Sequence, residues 1–304
     1  MKTRKLGSLS VSEVGLGCNN FGRTLDAAAT ANVVHAALDA GINFFDTADI
    51  YGQTQSEVYL GQAVSGRRGD VIIATKFGAE VDSARKGAKP AYIKQAIEDS
   101  LRRLNTDYID LYQLHTPDET TPIADTLGAL NDLVKEGKVR EIGCSNFTVA
   151  MLQEAEAAVP EGGARFVSTQ NHFSLFHRES ELPVLAECEK LGIGYLPYFP
   201  LANGLLTGKY RKGQPFPQGT RLNGPRGEQL LTEQNLTRVE NLISFAESKG
   251  HTILELAFAW LLKYPVISSV IAGATSETQI RSNAAAANWQ LSDEEFAQIN
   301  TIMA

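Results

Sequence analysis

Short apolar, β-rich runs recur along the chain, and each gives way to a polar or glycine residue at its C-terminal end. They are SEVGLG ending at Gly17, NFFD at Asp46, VIIATK at Lys76, YIDLYQLH at His115, REIGCS at Ser145, FVSTQ at Gln170, IGYLPY at Tyr198 and SSVIAG at Gly273. Most of these ends follow one another at roughly 30 residues, the span of one strand and its returning helix. Between Tyr198 and Gly273 the interval more than doubles, so a long insertion lies there. The intervening segments carry helical periodicity. In PAYIKQAIEDSLRRL, Ile93, Ile97, Leu101 and Leu104 share one face, and Pro90 sits where a first helical turn accepts it. PIADTLGALNDLVKEGKV and FTVAMLQEAEAAVP read the same way, with Gly137 and Pro160 as stops. The tail LSDEEFAQINTIM predicts a last helix opened by Ser292, and the leading TRKLGSLSVSEV a small β-hairpin outside the main sheet. Eight strands alternating with helices, with no linker, predict an α/β fold: a closed parallel (β/α)8 barrel. It would have a short N-terminal hairpin and a long loop after strand 7, as a single domain over residues 1–304.

Composition narrows the class. A chain of 304 residues would allow two domains by length, but one α/β barrel also spans this size. A hydrophobic share of 43% with 21% charged residues is that of a globular protein, not of a coiled coil or a disordered chain. The net charge of −7 argues against general binding to nucleic acid or an anionic membrane, which needs clustered cations. Cys18, Cys144 and Cys188 are far apart, which fits a reducing compartment and no disulfide framework. MKTRKLGSLSVSEVGLG lacks the apolar run of a secretory signal, and LAFAWLL, closed by Lys263 and Pro265, is too short to span a bilayer. The expectation is a cytoplasmic protein.

The strand ends carry the chemistry. Side chains at the C-terminal ends of barrel strands converge on one mouth, and here they bring an Asp, a Lys, a His, a Ser-Asn pair, a Gln and a Tyr. Any one of them has a structural explanation; six together do not. Two other readings fail on spacing. In GLGCNNFG, Asn20 stands where GxGxxG needs its third glycine, so no Rossmann fingerprint is present. His35, His115, His172, His177 and His251 form no HxH-type cluster, so no metal is expected.

FFDTADIYG, ATKFG, QLHTPD, GCSNF and YFPLANGLLTGKY, in this order and spacing, make the chain resemble the aldo-keto reductase superfamily over nearly its whole length. Within it, GINFFDTADIYG and PLANGLLTGKY are most similar to the branch with potassium-channel β-subunits and microbial aldo/keto reductases. Reducing a carbonyl takes a hydride at carbon and a proton at oxygen. The resemblance implies a catalytic tetrad of Asp46, Tyr51, Lys76 and His115. Tyr51 is the natural acid, its pKa lowered from about 10 by the ammonium of Lys76. Asp46 would hold Lys76 charged, and His115 would orient the substrate oxygen.

The cofactor residues follow from the same resemblance. Ser145, Asn146 and Gln170 would hold the nicotinamide carboxamide, and Tyr198 would stack on its ring. Gly17, Pro200, Leu201, Asn203, Gly204 and Thr275 are further cofactor-binding positions, Gly273 would free backbone at a helix N-terminus for an anion, and Gln279 and Asn283 would face the adenosine. Independently of any family, Lys209, Arg211, Lys212, Arg221 and Arg226 lie in a Gly/Pro-rich stretch without one acidic residue. Such a loop at a barrel mouth suits a dinucleotide's phosphates. Lys209 and Arg221 match the branch's phosphate-facing positions, whereas Thr275 and Ser276 stand where many relatives place a cation. The expected cofactor is therefore NADP(H) over NAD(H), resting mostly on Arg221. Asn20, Phe21 and Phe77 are the expected substrate-binding residues. His172 replaces a usual Glu, and packing is its expected role. The partner would be a small carbonyl or alcohol, with a homo-oligomer left open. The final helix runs to Ala304, so substrate contacts are expected from the βα loops and the pocket is expected to be open. A cofactor-binding, redox-sensing regulatory subunit with little turnover is the alternative, set against four intact catalytic positions.

Overall fold

The structure, a computed structural model, describes residues 1–178 and 182–304. The chain opens with an antiparallel hairpin of β1 (Thr3–Leu6) and β2 (Leu9–Ser12). Eight parallel strands follow: β3 (Val14–Gly17), β4 (Phe44–Asp46), β5 (Ile72–Phe77), β6 (Ile109–Leu114), β7 (Val139–Ser145), β8 (Phe166–His172), β9 (Gly194–Tyr198) and β10 (Val270–Gly273). They pair in the order β10-β3-β4-β5-β6-β7-β8-β9. Closure comes just below β10. The Tyr195 N–H donates to Val266 O at 2.8 Å, and the Ser268 N–H to Tyr195 O at 3.1 Å, joining β9 to the last strand's approach. The sheet is thus a (β/α)8 barrel, as the spacing predicts.

The connecting helices are α1 (Ala27–Asp39), α2 (Gln55–Ala63), α3 (Pro90–Leu104), α4 (Ile123–Lys135), α5 (Val149–Ala157) and α6 (Leu182–Leu191). Pro90 opens α3, and Asn105 closes it in the left-handed conformation at φ 52°. After β9 the chain makes a tight turn over Ala202–Thr207. It continues through a long loop to α7 (Pro225–Leu230), α8 (Glu233–Ser248) and α9 (Ile253–Leu262). The long interval therefore holds a loop and three helices. The apolar LAFAWLL stretch lies in α9, where Leu256, Ala257, Phe258, Ala259, Trp260 and Leu261 are all buried. Thr252 and Glu255 form a reciprocal capping box at its start. α10 (Glu277–Ala286) and α11 (Asp293–Met303) complete the ring, and Ser292 caps α11 as predicted. Among the described residues no helix is long and apolar enough to cross a membrane.

The hairpin is where the structure adds most. Leu6, Leu9 and Val11 pack with Phe44, Ala74, Leu111, Leu196 and Ile271, the inward-facing residues low in five strands. The hairpin stops the lower end of the barrel instead of lying apart from it. The Arg4 guanidinium locks it there, donating to the carbonyls of Leu262, Tyr264 and Ile267 and pairing with Glu13 at 2.9 Å. Two residues further along the strands, the same inward face turns polar at Asp46, Lys76, Gln113 and Tyr198, because strand side chains alternate with period two. The apolar layer and the hairpin thus form a floor under a polar mouth.

Candidate active site

The four tetrad residues meet at this mouth. Asp46 ends β4, and the loop after it brings Tyr51 back over the barrel. Gly52 makes that return: its φ is +57°, and a Cβ there would strike the carbonyl oxygen of Phe21. Lys76 rises from β5, fully buried, and donates to Asp46 Oδ2 at 2.7 Å and Thr47 O at 2.8 Å. Its nitrogen lies 5.1 Å from the Tyr51 ring centroid and interacts with the phenol oxygen. His115 follows β6 and meets the Tyr51 ring edge-on, with centroids 5.8 Å apart.

Burial sets the protonation states. It acts on Lys76 in the direction of losing the proton, but Asp46 and Tyr51 outweigh it and hold the ammonium above its ordinary value. His115 is pushed down to about 3, by desolvation first and then by the charge of Lys76, so its imidazole is neutral at neutral pH. Tyr51 departs from the sequence expectation. Desolvation raises its pKa by more than Lys76 lowers it, so the phenol keeps its proton. A charge argument from residue types alone leaves out how deeply the phenol is enclosed.

Asp46 is more heavily held than the sequence indicates. Its Oδ1 accepts from Gln170 Nε2 at 2.8 Å and from Gln113 Nε2 at 3.3 Å. Gln113 is the site residue that the sequence reading passed over. Its signal was its place two residues before His115 on the same strand face.

Ser145, Asn146, Gln170 and Tyr198 lie together at the ends of β7, β8 and β9, with their polar atoms turned on one another. Ser145 Oγ donates to Gln170 O at 2.7 Å, and Asn146 Nδ2 donates to His115 O at 3.0 Å. Tyr198 OH donates to Asn146 Oδ1 at 2.8 Å. Asn146 holds this position at φ 62°, in the left-handed region that asparagine tolerates. Behind Tyr198 the rings of His172 and His177 are stacked: His172 lies 5.5 Å from Tyr198 and 4.0 Å from His177, nearly parallel to both. Packing is thus what the structure gives His172, as expected.

The groove residues cluster at the other side of the mouth. Phe199, Ala202 and Asn203 all have positive φ, at 51°, 47° and 57°, so the turn after β9 is tightly wound. It carries Pro200, Leu201, Asn203 and Gly204, and the Asn203 Oδ1 is buried with no hydrogen-bond partner among the described residues. Lys209 is held below its ordinary value, by partial burial first and then by the like charge of Arg221 nearby. Arg221 reaches from the long loop to the far side of the mouth. There it donates to Asn20 Oδ1 at 2.8 Å and Asn19 Oδ1 at 3.2 Å. Gly17 pairs with Gly273, and a Cβ on Gly273 would come within 3.3 Å of Asn20 Nδ2. Thr275 N–H donates to Gln279 Oε1 at 2.8 Å at the start of α10, and Asn283 is buried one turn on. Arg211, by contrast, is committed to Glu240 in a bidentate pair at the surface.

The three expected substrate-binding residues, Asn20, Phe21 and Phe77, are all buried. Asn20 lies with Arg221, Gly273 and the Ala274 carbonyl. Phe21 and Phe77 are fully buried and give the mouth no surface. Phe77 follows Lys76 directly, so alternation turns it outward, where it stacks on Tyr112 at 4.7 Å.

A dinucleotide fits these residues. Lys209 and Arg221 stand close enough for their like charges to act on one another, an unpartnered buried amide oxygen faces a tightly wound turn, and an aromatic ring borders the mouth. Among the described residues no group of three or more His, Cys, Asp or Glu side chains is arranged to hold a metal.

Comparisons agree with this geometry. Residues 13–304 match the model of the Aldo/keto reductase family. The chain is 34% identical over 305 residues to aldo-keto reductase YhdN of Bacillus subtilis (strain 168), covering 97% of this chain and 91% of that protein. It is 34% identical over 296 residues to a probable voltage-gated potassium channel subunit beta of Arabidopsis thaliana, covering 93% and 90%. The structure of the glycerol dehydrogenase AKR11B4 from Gluconobacter oxydans superposes with a TM-score of 0.87 at 30% identity, over 100% of this chain and 95% of that one.

Proposed function

The chain belongs to the aldo/keto reductase family of nicotinamide-dependent oxidoreductases, and from that premise we propose that it reduces aldehydes and ketones to alcohols, reversibly, with NADPH preferred over NADH and Tyr51 as the proton donor. The observation that carries this reading is the buried Asp46–Lys76 pair beneath Tyr51, with a neutral His115 beside it. When bound, the cofactor supplies the hydride. Ser145, Asn146 and Gln170 would orient its carboxamide and Tyr198 would cover one ring face, while Lys209 and Arg221 would meet its phosphates. Residues 1–304 would act as one catalytic domain.

On the protein side the chemistry is one proton moved at a fixed place. The Tyr51 hydroxyl keeps its proton at neutral pH and can donate it to a carbonyl oxygen as that oxygen gains charge. The phenolate left behind forms beside the Lys76 ammonium, whose remaining donors are tied to Asp46 and Thr47. His115, neutral, offers a hydrogen bond to the substrate oxygen rather than a charge. Its Nδ1 is buried with no hydrogen-bond partner among the described residues.

Following nicotinamide absorbance over a panel of aldehydes, ketones and sugars with both cofactors tests the reading; turnover with NADPH supports it. The similarity to the Arabidopsis channel subunit favours a second reading, a redox-sensing regulatory subunit. Tight cofactor binding with no turnover on any substrate would select that one instead.

The cofactor preference has its own test. If Arg221 meets the 2′-phosphate, Arg221→Ala weakens NADPH binding by one charge-assisted hydrogen bond, about 1.5–3 kcal/mol. NADH binding moves far less. Equal losses for both cofactors in a fluorescence titration would remove Arg221 from that role.

A further inference from the structure

Gln113 is fully buried on β6, between Lys76 on β5 and Gly143 on β7 in the strand register. Its Nε2 donates to Asp46 Oδ1 at 3.3 Å, while its Oε1, also buried, has no partner among the described residues. We propose that Gln113 is a positioning residue for the reaction, holding the Asp46 carboxylate in line with Lys76 and acting on the chemistry only through that pair. The inference rests on the carbonyl-reduction reading above.

Three features support it. The first is direction: with the amide reversed, its oxygen would face the Asp46 oxygen, acceptor against acceptor, so the donating orientation is the one that Asp46 selects. The second is space. A Cβ on Gly143 would lie 2.5 Å from Ser168 Oγ and 3.3 Å from Gln113 Cγ, so the glycine at this strand position is held chiefly by Ser168 and also keeps the Gln113 stem uncrowded. The third is division of labour. Asp46 Oδ1 has two amide donors, and Gln170 is the one also assigned to the nicotinamide carboxamide. A Gln170 that turned to that group would leave Oδ1 to Gln113 alone. An unpaired oxygen on a buried carboxylate is costly, and the charge would drift from its place opposite Lys76. Without an exposed atom, Gln113 itself cannot touch substrate.

The charged and titratable groups around this amide are Asp46 and Lys76, with Tyr51, His115 and Cys18 next beyond them. Two variants separate donation from mere filling. Gln113→Met keeps the volume and loses the donor. It is expected to lower kcat for reduction about 10-fold, the equivalent of one hydrogen bond. The cofactor Kd, read by fluorescence quenching, stays within about 2-fold, since the contact is with Asp46 and not with a ligand. Gln113→Glu restores a donor only while its carboxyl is protonated, and repels Asp46 once ionised. Both kcat and the thermal midpoint of Gln113→Glu should therefore exceed those of Gln113→Met at about pH 5 and fall below them by about pH 9.

A Gln113→Met protein with normal kcat, or a Glu-to-Met ratio that stays constant across that range, overturns the proposal. The thermal midpoints need no turnover, so the two readings fail separately. A wild-type protein that reduces nothing, with the crossover intact, would sink the function and leave the tether standing. An active wild-type protein without the crossover would do the reverse.

Discussion

Carbonyl reduction by the Tyr51→Phe protein is expected to run about 10²- to 10⁴-fold slower than by the wild-type chain, because the ring stays and the proton donor goes. Cofactor affinity should hardly change. The pH profile gives a second handle on the same atom. His115 titrates at about 3 and stays neutral above that, while burial holds the Tyr51 proton above its ordinary range. Neither group changes charge near neutrality, so neither gives the wild-type reduction rate a limb there. The limb from Tyr51 lies in alkali, where its phenol ionises, while Asp49, raised by burial to about 7, is the neighbouring group that titrates near neutrality. Steady-state rates across pH check both statements. A Tyr51→Phe protein of near-normal rate would mean that the proton comes from elsewhere.

Lys76→Met is expected to cost more in stability than any exposed substitution. Lys76 is fully buried and Asp46 is 3% exposed, so removing the ammonium leaves a carboxylate facing amides alone. Breaking a buried pair in this way destabilises by about 3–5 kcal/mol. The sign with pH follows from linkage. A carboxyl made harder to ionise in the fold than in the unfolded chain weakens the fold as pH rises, so the deficit should shrink in acid. Adding Asp46→Asn removes the stranded charge and should return part of the loss. Urea unfolding of the single and double variants measures this, and a double variant no more stable than Lys76→Met would show that the pair's charge is not the cause.

How much of this was legible in the sequence depends on the range of the interaction concerned. Strand ends at Asp46, Ser145, Tyr198 and Gly273, and the whole of α3, could be read because alternation, periodicity, Pro90 and capping act within a few residues. Phe77 is decided on the same local scale: it follows Lys76 directly, and a strand turns neighbours to opposite sides, so its ring stacks on Tyr112. The same rule pointed to Gln113 through His115 and went unused. Beyond local range, the sequence stops informing. Nothing near Arg221 says that it bonds to Asn19 and Asn20, and nothing near Tyr51 says how deeply the phenol is enclosed. The hairpin was recognisable as a hairpin, but its place under the barrel is fixed by Arg4 and carbonyls from the far end of the chain.

That last contact bears on how the molecule comes to exist. Arg4 precedes by 258 to 263 residues the carbonyls of Leu262, Tyr264 and Ile267 that receive it. Tyr195 likewise waits for Val266 before the ring of strands can join. A growing chain can pair β3 to β9 in succession, yet the floor stays unfastened until Ile267 is made and the ring stays open until β10 (Val270–Gly273) follows it. Contacts so distant in sequence are formed against a large loop-closure entropy and late in folding. The hairpin and the carbonyls after α9 are thus a single fastening, and the mouth acquires its rigid base only when that fastening is made.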